Sequence, residues 1–282
     1  MNITFIGGGN MASALIGGLL KQGMSPQQLR VVEIDAANRE RLKSAYGVVV
    51  FAEQDQEAIA KSDVVVLAVK PQQMQAVAVQ LGPLLSGQIV LTIAAGIKIV
   101  DLARWLAVPT ANYVLVRAMP NMPALVGAGI TGIELYSFPP EHFLTEEEKE
   151  KVLGILGTVG QTVWVRGEDD MDAVTAISGS GPAYFFYFIE ALEQAGKELG
   201  LPEQTARKLA LETALGAARL AHESTEGVAT LRARVTSKNG TTERALLSMD
   251  ENIGGSVKQR IITAAKAAAA RAREMGDELG KG

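Results

Sequence analysis

The sequence predicts an α/β domain followed by an all-helical domain. Three observations support this prediction: short β-branched runs alternate with helical patterns up to about residue 165, a glycine-rich turn follows the first of these runs, and strand patterns end at about Gly167. We therefore predict domains at residues 1–165 and 166–282. In a chain of 282 residues, each domain is long enough to bury its own core.

Seven short runs are predicted to be strands. The residues from Val64 to Val69 are apolar at every position, as expected of a strand covered by helices on both faces. We therefore expect a sheet that is parallel at least in its first half. The predicted strands are Ile3–Ile6, Leu29–Ile34, Gly47–Phe51, Asp63–Val69, Gln88–Ala94, Tyr113–Arg117 and Gln161–Val165.

The second domain contains only helical patterns. The predicted helices are Met171–Ile177, Pro182–Leu199, Glu203–His222, Thr242–Met249 and Ser256–Leu279. Small residues such as Ala206, Ala210 and Ala214 recur along one of them. Two interpretations stay open, namely close helix packing within one subunit and an intertwined dimer.

The composition excludes several classes of function. The 27 Lys and Arg and the 31 Asp and Glu give a net charge of −4 and are interspersed, so nucleic acid and anionic membrane surfaces are not expected partners. The chain has no Cys, and its two His, His142 and His222, are far apart, so we expect no disulfide and no metal site. Glycine, asparagine and glutamine interrupt the uncharged stretches, so we expect a cytoplasmic protein without a signal peptide or membrane span.

The first predicted strand leads directly into a glycine-rich turn. Residues 7–12, Gly-Gly-Gly-Asn-Met-Ala, fit the pattern G-x-G-x-x-A, and a helix is predicted from Met11 to about Leu20. Gly7 would make the tight turn, Gly9 would let the backbone approach a pyrophosphate, and Ala12 would keep the helix close to the strand. This position in an opening βαβ unit predicts a Rossmann-type dinucleotide-binding domain.

The end of the second strand bears on the choice of dinucleotide. Glu33 lies twenty-one residues after Ala12, where an acid binds the adenosine ribose and repels the extra phosphate of NADP. Asn38 and Arg39 follow closely and are able to accept that phosphate. Glu33 therefore favours NAD and Arg39 favours NADP, while a solvated acid at a strand end is the alternative for Glu33.

Further candidates lie at the ends of later strands, where an open α/β sheet places its ligand crevice. One group of candidate residues follows the fourth strand, and a second group follows the fifth. Asn121 lies in a proline-bracketed turn and is a candidate contact of the nicotinamide edge. A solvated lysine and a turn-forming asparagine are the alternatives for Lys70 and Asn121. The groups are Ala68, Val69, Lys70 and Pro71, and Ala94, Ala95 and Gly96.

Two loops in the helical part have hydroxyl groups and free backbone N–H groups at a helix start. They cover Ile177–Pro182 and Thr236–Thr242. Such a loop is suited to a carboxylate ligand. Ordinary helix capping is the alternative at both.

Together these motifs resemble the pyrroline-5-carboxylate reductase family, the last enzyme of proline biosynthesis, over essentially the whole chain. The stretch Val235–Thr242, followed by acids at Asp250 and Glu251, is the most specific element of the resemblance. The resemblance implies an N-terminal domain that binds NADPH or NADH and a helical domain that binds substrate and interlocks with a second copy. Homodimers that assemble into decamers are also implied.

The resemblance assigns roles to individual residues. The turn from Ile6 through Gly7, Gly8, Gly9 and Asn10 to Met11 would hold the pyrophosphate, and residues 68–71 and 94–96 would line the nucleotide and nicotinamide. The substrate would be held by Ser237, Gly240, Thr241 and Thr242, with Glu226 on the neighbouring helix turn as a further helper and Thr242 as the catalytic candidate.

This chain departs from the family pattern at two places. Residues 33–35 are Glu-Ile-Asp where many relatives have groups that hold the NADP phosphate, so the usual NADPH preference is open. Arg234 stands where relatives more often have Asn or Met, and its guanidinium is expected either to contact the cofactor phosphate or to face solvent.

The implied reaction is hydride transfer to the C=N carbon of 1-pyrroline-5-carboxylate, giving L-proline without a metal. Positioning would carry the catalysis, since an imine is readily protonated by solvent. A β-hydroxyacid dehydrogenase is the rival enzyme, but its lysine base is not matched here, because the first lysine after the Gly179–Gly181 loop is Lys197. A non-catalytic dinucleotide sensor is the other alternative, and the retained Thr241 and Thr242 argue against it.

Overall fold

The computed structural model describes residues 1–107, 113–138, 144–250 and 255–281. Eight strands form one sheet in the order β3-β2-β1-β4-β5-β6-β7-β8, and every neighbouring pair is parallel except the antiparallel pair β6–β7. The strands are β1 Ile3–Ile6, β2 Leu29–Val32, β3 Val49–Phe51, β4 Val64–Leu67, β5 Ile89–Thr92, β6 Tyr113–Met119, β7 Gly129–Phe138 and β8 Gly160–Trp164. The order of the first six strands is that of a Rossmann-type sheet.

The described residues also form twelve helices. They are α1 Asn10–Lys21, α2 Ala36–Tyr46, α3 Gln56–Ile59, α4 Met74–Leu81, α5 Ile99–Leu106, α6 Glu146–Leu156, α7 Gly167–Val174, α8 Gly181–Glu198, α9 Glu203–Glu223, α10 Val228–Arg234, α11 Thr241–Asp250 and α12 Val257–Leu279. A π-helical turn, Thr175–Gly179, joins α7 to the residues before α8.

Two apolar clusters lie on opposite faces of the sheet. On one face, Phe5 and Val66 pack with residues of α1 and α6 such as Leu15 and Ile155. On the other face, Val65 and its neighbours pack with residues of α4 and α5. Because alternate residues of a strand point to opposite faces, both faces must be apolar when helices cover both. This explains the continuous apolar run in β4.

The contacts divide the chain into two compact units. The first comprises Met1–Ser180 and Ala268–Gly282, and the second comprises Gly181–Ala267. The division therefore falls after Ser180, whereas the sequence predicts a domain boundary between residues 165 and 166. Helix α12 also contributes residues to both units, so a single domain boundary does not describe the division. The boundary at 165 stays a prediction.

The structure contains two secondary-structure elements that the sequence does not predict. Strand β7 was not predicted, because Gly129 and Gly132 interrupt its apolar pattern. Gly132 is needed there, since a Cβ would lie 2.7 Å from Val174 Cγ1 of α7. Helix α10 was also not predicted, because it has only seven residues. The parallel first half of the sheet and the helical character of the second part are confirmed.

No helix of the described residues is both long enough and apolar enough to cross a membrane.

Candidate active site

The glycine-rich turn connects β1 to α1 at the carboxyl edge of the sheet. Gly7 has φ +99°, its N–H donates to Val32 O at 2.8 Å, and a Cβ would lie 2.7 Å from Ala68 O. In contrast, a Cβ on Gly9 would meet no atom within 4 Å. Gly7 therefore makes the tight turn, and open space lies before the N-terminus of α1. This arrangement fits a dinucleotide pyrophosphate.

A cleft of about 770 Å³ lies along this turn and the ends of β2, β3 and β4. It occupies the edge where β1 lies between β2 and β4, which is the position of the ligand crevice in an open parallel sheet. The lining contains eight predicted cofactor residues: Ile6, Gly7, Gly8, Gly9, Glu33, Ala68, Val69 and Lys70. The cleft thus brings half of the predicted cofactor residues together.

Other lining residues are not among those predicted from the sequence. They include Ile34, whose side chain is 78% exposed, and the segment Ala52–Gln54, which follows β3. Gln72, Gln73 and Ala76 also line the cleft. The end of β3 is a sequence signal of the same kind as the ends of β2 and β4, so residues 52–54 could have been predicted from it.

Glu33 is held in a fixed position at the end of β2. Its Oε2 accepts hydrogen bonds from Gly8 N at 3.1 Å and from Asn38 Nδ2 at 2.7 Å, and its Oε1 accepts from Asp35 N at 3.0 Å. Asp35 also caps α2 by accepting from Asn38 N at 2.7 Å. The carboxylate therefore lies beside the glycine turn, where an adenosine ribose is bound in this fold.

Two arginines near Glu33 donate hydrogen bonds within the protein. Arg39 Nη1 donates to the carbonyl oxygens of Glu33 at 2.7 Å and Ile34 at 2.9 Å. Arg41 donates to Asn38 Oδ1, Gly8 O and Ser13 Oγ at 2.8–3.2 Å. Arg39 is not among the residues that line the cleft. Glu33 therefore lines the cleft, whereas neither Arg39 nor Arg41 does.

The remaining predicted cofactor residues lie outside the lining of this cleft. Ala94, Ala95 and Gly96 follow β5 at the same carboxyl edge, and Asn10, Met11 and Pro71 adjoin lining residues. Asn121 is buried, donates to Ser178 O at 3.2 Å and accepts from Ile130 N at 3.0 Å. Its amide therefore joins the start of β7 to the π-helical turn before α8. Together with Arg39, these are the eight predicted cofactor residues outside the lining, and all sixteen cofactor assignments stay predictions.

The predicted substrate loop forms a tight turn at the start of α11, within the second unit. Gly240 N donates to Ser237 O at 3.0 Å, and a Cβ on Gly240 would collide with Ser237 Oγ. Asn239 has φ +60°, and its N–H donates to Glu243 Oε2 at 2.6 Å. The structure thus brings Ser237, Gly240, Thr241 and Thr242 together at a helix N-terminus, where free N–H groups favour an anion.

Glu226 and Arg234 form an ion pair at either end of α10. Arg234 Nη1 lies 2.6 Å from Glu226 Oε2, and both side chains are partly exposed. The prediction that Arg234 contacts the cofactor phosphate or faces solvent did not include this pair. The pair occupies one oxygen of the Glu226 carboxylate, so any contact of Glu226 with substrate would have to use the other oxygen or break the pair.

Two family models match the chain. The model described as pyrroline-5-carboxylate reductase dimerisation matches residues 168–275. The model described as NADP oxidoreductase coenzyme F420-dependent matches residues 2–96. The matched ranges contain the helical part and the glycine-turn part, respectively.

Named relatives match over almost their full length. A pyrroline-5-carboxylate reductase of Pseudomonas aeruginosa is 43% identical over 280 residues, which cover 99% of this chain and 98% of the relative. One of Pasteurella multocida is 44% identical and covers 89% of this chain and 90% of its own length.

Solved structures of the same name share the fold. A pyrroline-5-carboxylate reductase from Coxiella burnetii has a TM-score of 0.87 and 38% identity, covering 97% of this chain and 98% of its own. The Plasmodium falciparum pyrroline carboxylate reductase with NADP bound has a TM-score of 0.81 and 29% identity, covering 98% of both chains. The predicted family and fold class are confirmed. The protein belongs to the pyrroline-5-carboxylate reductase family of NAD(P)H-dependent oxidoreductases.

Proposed function

We propose that this chain reduces the C=N bond of 1-pyrroline-5-carboxylate to L-proline with NADH or NADPH, and that the first unit binds the coenzyme while the second binds the imine. The observation that carries the proposal is the presence of a dinucleotide cleft in the first unit and an intact Ser237–Thr242 turn in the second. The full-length similarity to enzymes of that name supports the substrate.

The coenzyme assignment follows from the shape of the cleft. The turn from Ile6 to Gly9, with Asn10 and Met11 at the start of α1, would hold the pyrophosphate. Glu33 would bind the adenosine ribose, and Ala68–Pro71, Ala94–Gly96 and Asn121 would lie toward the nicotinamide. When it is bound, the coenzyme supplies the hydride that reduces the imine carbon.

The substrate assignment rests on the turn at α11. The first N–H groups of α11 have no partners within their own helix, so they are suited to bind the substrate carboxylate. The hydroxyl of Thr242 would bind the ring nitrogen and orient the imine. The imine carbon accepts the hydride and the nitrogen carries the proton, so the chain must mainly hold the carbon at attack distance from the coenzyme.

The coenzyme preference follows from Glu33 and Arg39. A carboxylate held by three hydrogen bonds would repel a 2′-phosphate, whereas Arg39 lies outside the cleft lining and its Nη1 is bonded to two carbonyl oxygens. We therefore propose that the chain uses both coenzymes and prefers NADH.

The helical unit is proposed to pair with a second copy. Large apolar side chains on α8 and α9 are exposed, among them Phe186 at 57% and Leu215 at 55%. Exposed apolar surface of this extent is typical of protein interfaces, and the model that matches residues 168–275 is described as dimerisation. Assembly into decamers and a cytoplasmic location stay predictions from the sequence.

The reaction is tested by following an isotopic label. The enzyme is incubated with 1-pyrroline-5-carboxylate and NADH that carries deuterium at both C4 positions. Direct hydride transfer predicts L-proline with one deuterium at C5. Formation of unlabelled proline, or of no proline while NADH binds, would contradict the proposal.

A further inference from the structure

A buried arginine lies at the carboxyl end of β6. Arg117 is only 3% exposed, and its guanidinium forms an ion pair with the carboxylate of Glu168, in the first turn of α7. A buried ion pair is weak evidence for stability, since well-packed apolar side chains of similar size often stabilise a fold as much. A buried charge at this edge of the sheet therefore needs another explanation.

The second oxygen of Glu168 reaches a different element. Glu168 Oε1 accepts a hydrogen bond at 2.8 Å from the N–H of Ile99, the first residue of α5. The preceding residue, Lys98, makes no side-chain capping bond. Glu168 therefore acts as the missing cap of α5 from outside the helix, and one carboxylate joins β6 to the start of α5.

The segment fixed in this way is the one assigned to the nicotinamide. Ala94–Gly96 lies three residues before Ile99, and Thr92, which precedes it, is aligned with Arg117 across β5 and β6. Thr92 Oγ1 accepts a hydrogen bond from Ala94 N at 3.3 Å. Thr92, two residues before the segment, is thus aligned with Arg117, and Ile99, three residues after it, is bonded to Glu168, the partner of Arg117.

The end of α12 supports the same segment. Leu279 Cδ1 and Met275 Cε lie within 3.5 Å of the position that a Cβ on Gly96 would occupy. Lys98 forms an ion pair with Asp277. Arg273 lies 2.6 Å from Asp169 Oδ1 and 3.5 Å from Asp172 Oδ2, which ties α12 to α7.

We propose that Arg117 and Glu168 are positioning residues for hydride transfer, because they fix the start of α5 and thereby hold Ala94–Gly96 in place beside the nicotinamide. This inference rests on the proposed assignment of Ala94–Gly96. Neither side chain is required to touch the substrate or the reacting atoms.

A second buried acid, Glu134, lies beside Arg117. Glu134, aligned with Arg117 on β7, is 6% exposed, and its Oε2 has no hydrogen-bond partner. Burial and the nearby Glu168 raise the pKa of Glu134 to about 7, while Arg117 lowers it and Asp170 and Asp172 raise it. Glu134 therefore holds its proton to a higher pH than an exposed carboxylate does.

The test uses the full-length enzyme with Arg117→Met, Glu168→Leu, which cannot accept the hydrogen bond from Ile99 N, and the double variant. We expect each to lower kcat by about 10-fold to 100-fold, since small misplacements of reacting groups have effects of this size. The KM for NADH should stay within about threefold, because the contacts at Glu33 and the glycine turn are unchanged. Arg271→Met, which removes an exposed arginine paired with Glu274 and Glu278, is the control and should change kcat by less than about twofold.

The double variant shows whether a lower kcat comes from lost positioning or from lost stability. It leaves neither member of the pair as an unpaired charge, so its melting temperature should recover relative to the single variants. Positioning predicts that kcat stays low although stability recovers. Recovery of kcat to within about twofold of the unmodified enzyme, together with stability, would overturn the proposal.

Ala95→Leu distinguishes this inference from the assignment on which it rests. A larger side chain at Ala95 should lower kcat if the segment lies beside the nicotinamide. A loss of kcat in Ala95→Leu without a loss in the Arg117 and Glu168 variants would overturn only the positioning role. An unchanged kcat in Ala95→Leu would overturn both the assignment and the positioning role.

Discussion

The two units of the chain differ in how far their apolar side chains are buried. In the first unit, residues of β1 and β4 such as Phe5 and Val66 are fully buried between helices. In the second unit, Phe186 and Leu215 are more than half exposed, and the described residues of α8 have only Gly181 buried. The first unit therefore closes its core within one chain, whereas the helical unit presents the surface that an interface requires.

The difference also concerns function. The cleft and the glycine turn belong wholly to the first unit, and the Ser237–Thr242 turn belongs wholly to the second. We therefore expect that substitutions in the first unit change coenzyme selection and that substitutions in the second change imine reduction or assembly.

The largest expected effect is on assembly. Phe186→Glu and Leu215→Glu would each place two charges in a two-fold interface, and the dissociation constant of the dimer should rise by at least about 1000-fold, equivalent to about 4 kcal/mol. Light scattering after size-exclusion chromatography measures the change. Val79→Glu is the matched control, because Val79 is 54% exposed on α4 of the first unit and should tolerate the charge. Intact dimers in both helical variants would contradict the proposed interface.

The next effect is on the imine. Thr242→Ala should lower kcat/KM for 1-pyrroline-5-carboxylate by about 100-fold, because one oriented hydroxyl partner is lost. The dissociation constant of NADH, measured by fluorescence titration, should change by less than about twofold. Thr230→Ala on α10 is the control for loss of an exposed threonine. Unchanged kinetics in Thr242→Ala would remove Thr242 from the site.

A smaller effect is expected on coenzyme selection. Glu33→Ser should shift the ratio of kcat/KM for NADPH over NADH upward by about 10-fold, since a repulsive carboxylate is removed. The control is Glu53→Gln, which neutralises another acid on the cleft lining. An equal shift in both variants would mean that net charge, rather than the position of Glu33, determines the preference.

The smallest effect is on stability and involves only the first unit. The pKa of Glu134 is raised to about 7 in the fold, chiefly by burial, so the folded state retains this proton more strongly than the unfolded state. Its contribution to stability is therefore complete at low pH and is lost as the pH rises from about 4.5 through about 7.

Glu134→Gln removes this dependence. Relative to the unmodified protein, the variant should melt a few degrees higher at about pH 8.5 than at about pH 5. Calorimetry at both pH values, with Glu53→Gln as the control for loss of an exposed carboxylate, measures the difference. A constant offset between variant and unmodified protein would contradict the role of Glu134.

Local patterns predicted most of the fold and part of the site. The alternating runs, the glycine turn and Glu33 are features of neighbouring residues, and the structure places the turn and Glu33 together at the cleft. Strand β7 was missed because its glycines obscure the pattern, although tertiary packing against Val174 requires one of them.

The ion pair of Arg117 and Glu168 could not be predicted in this way. The two residues are 51 positions apart in sequence, and nothing near either one indicates its partner. Only the packing of α7 against the sheet brings them together. The ion pair of Glu226 with Arg234 has a different cause, since the two residues lie at either end of the short helix α10, which the sequence does not predict.

The central claim is that the chain reduces 1-pyrroline-5-carboxylate with a nicotinamide coenzyme held beside Glu33. The most direct measurement is the initial rate of this reduction, followed by nicotinamide absorbance, with NADH and NADPH side by side. The account predicts turnover with both coenzymes and a higher kcat/KM with NADH. Absence of turnover with either coenzyme, while dinucleotide binding is demonstrable, would contradict it.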